Sequence, residues 1–97
     1  MIFGVVAGTV VSTVKSDTTE GTRYMLVQVC DYTCRRKNRY VVALDLVGSG
    51  VDEMVLIAQG SSSRQTPRTY EKPIDTVIVG IVDLIEESGK VVYRKGA

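Results

Sequence analysis

The sequence predicts an all-β chain, and two observations carry that expectation. Valine, isoleucine and threonine dominate while alanine and leucine are scarce. β-branched side chains pack well on a pleated surface and lose rotamer freedom in a helix. Short apolar runs also alternate with polar stretches that contain glycine, the pattern of strands and surface turns. The 97 residues allow one domain, spanning residues 1–97. A chain of that size buries only about 60–65% of the surface it exposes when unfolded, so its core is thin.

Taken in order, residues 2–13 (IFGVVAGTVVST) form the first expected strand, and Val14 leads into a polar turn region at residues 15–22. Residues 24–30 (YMLVQVC) are the second strand and residues 31–39 (DYTCRRKNR) a loop. The third strand runs over residues 40–47. A glycine turn follows at residues 48–52, and the fourth strand covers residues 53–59. Residues 60–66 form a loop with one helical turn, which Ser61 or Ser62 would cap by accepting backbone N–H groups. An irregular connection at residues 67–73 leads to a long fifth strand, residues 74–85 (IDTVIVGIVDLI). Glu87, Ser88 and Gly89 turn the chain into a short sixth strand at residues 91–94. Five or six strands and one short helical turn make a small OB-like barrel, a closed or partly closed antiparallel sheet.

The apolar pattern asks for more cover than one barrel supplies. On the fifth strand, Ile74, Thr76, Ile78, Gly80, Val82 and Leu84 share one face, and Asp75, Val77, Val79, Ile81, Asp83 and Ile85 share the other. Both are apolar over the middle. The first strand repeats this, with Phe3, Val5, Ala7 and Val11 opposite Ile2, Val6 and Val10. A sheet with one wet face alternates apolar and polar residues. Each valine or isoleucine left in water forgoes roughly 1.5–3 kcal/mol of burial. The first or fifth strand is therefore expected to pack against another subunit.

Composition excludes several functions. A net charge of +1 offers no bulk attraction to nucleic acid or an acidic membrane. Histidine, the commonest general base and nitrogen ligand, is absent. Residues 1–11 lack the basic start of a signal peptide, and no apolar run approaches a bilayer span; a soluble cytosolic protein is expected. Cys30 and Cys34 are the only thiols, so a zinc site lacks its other two ligands. Cys30 reads as a buried small hydrophobe and Cys34 as a loop residue. No catalytic set, cofactor or metal is expected.

Three motifs need weighing. GSSSR, Gly60, Ser61, Ser62, Ser63 and Arg64, could bind an anion through hydroxyls, a guanidinium and backbone N–H groups. It lacks P-loop spacing, and a tight loop whose arginine pairs with an acid is the favoured reading. VGSG, Val47 to Gly50, lacks the third glycine and following helix of a dinucleotide fingerprint, and reads as a turn needing positive φ. Asp45 and Glu53 flank that turn; pairing with Arg64 is favoured over acid–base chemistry. RRKNR, residues 35–39, is read as a solvated basic loop, with single-stranded nucleic acid as the alternative contact.

Three segments resemble the bacterial microcompartment vertex family: GVVAGTVVSTVK at the start, VALDLVGSGVDEMVLIAQGSSSRQ in the middle and PIDTVIVGIVD near the end. Their order and span cover nearly the whole chain. Asp52 stands where the family commonly has glycine, and Ser49 and Ser63 stand where alanine is common. The cysteine-bearing loop falls in a variable region. The resemblance implies a five-fold ring of OB-like barrels capping the vertices of a polyhedral protein shell in the cytoplasm. Hexameric shell proteins would surround it, with neither nucleic acid nor membrane as partner. It also implies that Gly48, Gly50, Glu53, Gly60, Ser61, Ser62, Ser63 and Arg64 lie at a subunit joint or axial loop. Arg64 would then cross to Glu53 or Asp45. The alternatives are an OB-type single-strand binder and a small-anion binder at the serine loop.

Overall fold

The computed structural model describes residues 1–11, 23–60 and 76–96. These contain seven strands: β1 (Ile2–Val10), β2 (Arg23–Cys30), β3 (Arg36–Asp45), β4 (Met54–Gln59), β5 (Thr76–Ile81), β6 (Leu84–Glu87) and β7 (Lys90–Arg94). The first five close a barrel in the order β1-β2-β3-β5-β4, and β6 and β7 form a separate hairpin. Among the described residues there is no α-helix, and no helix is long and apolar enough to cross a membrane. Of the helical turn expected at residues 60–66, residues 61–66 lie outside the described residues.

The barrel is not wholly antiparallel. β1–β2, β2–β3, β4–β5 and β1–β4 are antiparallel, but β3 and β5 pair in parallel over Leu44↔Val77 and Asp45↔Ile78. That short parallel contact closes the cylinder. The interior is filled by Val6, Met25, Val27, Ala43, Val55, Ile57 and Ile78, one or two from each barrel strand. All are fully buried. Gly4 belongs to the same wall: a Cβ there would overlap Val27 Cγ1 and lie 2.9 Å from Ile57 Cδ1. The narrow barrel therefore needs glycine at that point. A bulge in β1, where Val6↔Val27 is followed by Gly8↔Leu26, leaves Ala7 unpaired and interrupts the strict alternation expected for the first strand.

The expected long fifth strand is two. Val82 N–H donates to the Met54 carbonyl at 2.8 Å, completing the β5 side of the barrel. The chain then leaves the sheet at Asp83, and β6 pairs with β7 instead of β4. Ser88 and Gly89, at φ +52° and +80°, are the two left-handed residues of the tight connection. The apolar run, interrupted only by Asp83 over residues 77–85, concealed this exit because Val82 before it and Ile85 after it are both covered. Val82 is buried with Val5, Cys30 and Met54, and Ile85 and Tyr93 of the hairpin pack on that cluster. Part of the second apolar face is thus covered by the chain itself rather than by a neighbour.

The cover stops short of the opposite side. There Leu44 and Val77 pack with Tyr24, Leu46 and Val79 outside the barrel. Leu26 pairs with Val42 and Tyr24 with Leu44, so these residues adjoin on one surface. Val42 stays 50% exposed and Tyr40 52% exposed.

The basic stretch also differs from expectation. Arg36, Lys37, Asn38 and Arg39 belong to β3, not to a loop. Gln28 pairs with Tyr40 and Cys30 with Arg36, so β3 carries two more residues than β2 between those rungs. The Gln28 side-chain amide donates to the Lys37 carbonyl at 3.0 Å across this bulge. Charge and bulge together disguised a strand as a loop.

Candidate functional site

The turn between β3 and β4 is built around Asp45, the last residue of β3. Its side chain is buried, and Oδ1 accepts the N–H groups of Val47, Gly48 and Ser49 at 3.1, 3.1 and 3.2 Å. Oδ2 accepts Ser49 N–H at 3.0 Å, and an Arg23 guanidinium nitrogen lies 3.8 Å away. Three convergent backbone dipoles meet a charge that would otherwise be costly to bury. Gly48, at φ +75°, supplies the left-handed step that lets the chain wrap round the carboxylate.

The second half of the turn is held by Glu53. Its Oε1 accepts Gly50 N–H at 2.6 Å, and its Oε2 lies 2.8 Å from Lys95 Nζ. The Lys95 hydrogen bond, the Gly50 N–H and the Lys95 charge hold the Glu53 carboxyl below its ordinary range, and Glu53 in turn raises Lys95. Asp52 N–H donates to the Val6 carbonyl at 2.8 Å, and Val6 N–H to the Glu53 carbonyl at 3.0 Å, which stitches the turn to β1 beside its bulge. Gly50 is not left-handed, and a Cβ there would meet Glu53 Oε1 at an ordinary 3.5 Å. Its glycine is therefore not demanded by backbone conformation in this chain. The left-handed residue of the second half is Asp52, at φ +72°, which also lies 3.7 Å from Arg36.

Gly48, Gly50, Glu53 and Asp45 thus occupy one turn. Gly60, immediately after β4, is left-handed at φ +64°. Ser61, Ser62, Ser63 and Arg64 lie outside the described residues. Sequence reasoning missed Arg23, Lys95 and Ser49 as participants. Lys95, in a tail read only as polar, reaches Glu53 across 42 positions of sequence, a pairing with no local signal. Ser49 is 1% exposed, and among the described residues its hydroxyl has no hydrogen-bond partner. Its placement where alanine is common was the available hint. Among the described residues no three Cys, Asp or Glu side chains gather closely enough to hold a metal ion.

Comparison with known proteins places this barrel and turn. The profile of the family described as ethanolamine utilisation protein EutN/carboxysome matches residues 1–83. The carboxysome shell vertex protein CcmL of Synechococcus elongatus is 40% identical over 90 residues, covering 93% of this chain and 91% of that protein. The structure of Gloeobacter violaceus CcmL superposes with a TM-score of 0.92 at 37% identity, covering 100% of both chains. The GrpN pentameric microcompartment shell protein of Rhodospirillum rubrum gives a TM-score of 0.79 at 38% identity, over 90% of this chain and 99% of that one. With a family profile spanning most of its length and close relatives in sequence and fold, this chain belongs to the EutN/CcmL family of shell vertex proteins.

Proposed function

We propose that five copies of this chain close into a ring that caps the vertices of a bacterial microcompartment, with a structural rather than a catalytic role. The observation that carries this reading is the family membership, joined to an apolar outer surface that the chain leaves uncovered at Val42 and Tyr40. Hexagonal tiles alone make a flat sheet, and closing it into a shell needs positions with five neighbours. The surrounding tiles would be hexameric shell proteins, and the closed shell would slow the escape of an intermediate made inside.

Within the ring, the β3–β4 turn and the loop from Gly60 through Ser61, Ser62, Ser63 and Arg64 form the subunit joint. Arg64 crosses to an acid of the neighbouring copy. Asp45 is closed off, with a side chain only 1% exposed and three N–H donors of its own turn. Glu53 keeps 24% of its side chain exposed and is the better partner. Light scattering on the wild type is expected to give about 53 kDa, five times 10.6 kDa. Arg64→Glu should leave the β circular-dichroism spectrum intact and lower that mass. Elution of the variant at the wild-type mass removes Arg64 from the joint, whereas a wild type that stays at one chain's mass removes the ring itself.

The single-strand alternative finds no support in the fold or the relatives. On the outer surface Tyr24 and Tyr40, whose partner is Gln28, are separated by about four residues or roughly 13 Å along β2. Leu26 and Val42 lie between them, so the two rings form no continuous stacking platform.

A further inference from the structure

Cys30 and Cys34 take no part in the turn that joins β3 to β4, and their surroundings point to chemistry of their own. Cys30 ends β2, and its register partner Arg36 begins β3. Between them the chain reverses tightly. Asp31 N–H donates to the Arg35 carbonyl and Cys34 N–H to the Asp31 carbonyl, both at 3.0 Å. The Asp31 carboxylate accepts Thr33 N–H and Arg35 N–H at 2.9 Å and the Thr33 hydroxyl at 2.7 Å. Three-residue hairpin turns of this kind end on a left-handed residue, ordinarily glycine. Here that residue is Cys34, at φ +70°. A side chain is strained there, and the dense hydrogen bonding of the turn enforces it.

The effect is to bring both thiols to one place. Cys30 is a buried member of the cluster with Val5, Met54 and Val82, and Cys34 packs, half-buried, on that same cluster. We propose that Cys30 and Cys34 form a modification site, a dithiol that small-molecule disulfides convert to an internal disulfide. The half-buried Cys34 thiolate attacks one sulfur of the oxidant RSSR, forming a Cys34–S–S–R bond and releasing RS⁻, which takes up the proton. The Cys30 thiolate then attacks Cys34 Sγ, closing the Cys30–Cys34 bond and expelling the second RS⁻. Two protein thiols lose two electrons and two protons, and one RSSR becomes two RSH. Burial first, and then the neighbouring Cys34 and Asp31 charges, push the Cys30 thiol up to about 11. A raised thiol leaves less thiolate for the second step, so closure of the bond quickens as pH rises. The bond would form beneath Ile85 and Tyr93, so oxidation reaches the packing of the β6–β7 hairpin.

The test treats the folded full-length protein with oxidised glutathione at several pH values, then measures intact mass and maps tryptic peptides without reduction. The peptide of residues 24–35 holds both thiols. It is expected to lose two hydrogens, to resist alkylation until reduced, and to form faster as pH rises. Cys30→Ala should stop at a single glutathione adduct, and Cys34→Ala should stay unmodified while folded yet react in denaturant. Three wild-type outcomes overturn the proposal: a lasting glutathione adduct, disulfides between chains, or thiols that remain free while the denatured chain closes the bond.

Discussion

Asp45 and Ser49 show how much one turn depends on single polar atoms. Asp45 stands at the end of a β-strand and gathers three N–H groups, so its loss would orphan several donors at once. Asp45→Ala is expected to cost about 2–4 kcal/mol, measured by urea unfolding at fixed protein concentration. Ser49 runs the other way. Its buried hydroxyl lacks a partner among the described residues, so Ser49→Ala should raise stability by about 1 kcal/mol in the same assay. A loss instead of a gain would show that the hydroxyl finds a partner once copies assemble. The residue identities were legible in sequence, including the serine in an alanine position. Their roles were not, because an aspartate beside a glycine turn reads equally well as an intersubunit acid or as the organiser of its own loop.

Among the elements, the break between β5 and β6 is what the apolar pattern hid, whereas the turn at Glu87, Ser88 and Gly89 and the strand after it were legible. Residues 76–82 are apolar on both faces because different surfaces receive them: Ile78 enters the barrel core, Val77 and Val79 pack with Leu44 outside it, and Val82 joins the cluster with Met54. Alternation records that a side chain is covered, not by which element, so Asp83 read as an outward strand position rather than as the exit. The hairpin is fastened by polar contacts at both ends. Tyr32 donates to the Glu87 carboxylate, 3.0 Å from each oxygen, and Lys95 meets Glu53. The second contact has a defined pH signature. Glu53 is held below the ordinary glutamate value of ~4.3, so its contribution is present above that value and lost as pH falls through the folded one. Lys95 is held above ~10.4, so its contribution is present below that value and lost as pH rises through the folded one. The stability gap between wild type and Lys95→Ala should therefore be flat between about pH 5 and 9.5 and shrink on either side. Urea midpoints across that range would reveal it, and a gap that drifts steadily through neutrality would assign the contact to some other pair.

At the scale of the whole molecule, one side of the barrel keeps exposed apolar surface. The hairpin covers one side through Ile85 and Tyr93, while Val42 remains half exposed beside Leu26. Val42→Glu is expected to leave the barrel folded, because the side chain already faces outward, and to shift the assembly toward single chains. Circular dichroism and light scattering on one sample separate those effects. An unchanged mass would place the ring contact on another face. Of the residues behind the expectation that the first or fifth strand meets a neighbour, the chain buries Val5 and Val82 itself, while Val11 and Leu84 stay exposed.

The sequence by itself determined the β content, the glycine turn at Gly48, the membership in a shell-forming family and the surplus of apolar surface, all of which depend on residue type and short-range pattern. Only the tertiary structure decided that β3 and β5 close the barrel in parallel, that residues 36–39 are strand, that Asp45 is buried and Glu53 tied to Lys95, and that a hairpin covers Val82. Those outcomes rest on pairings between residues far apart in the chain, where closure of the barrel and competition for cover choose the partner and local periodicity is silent.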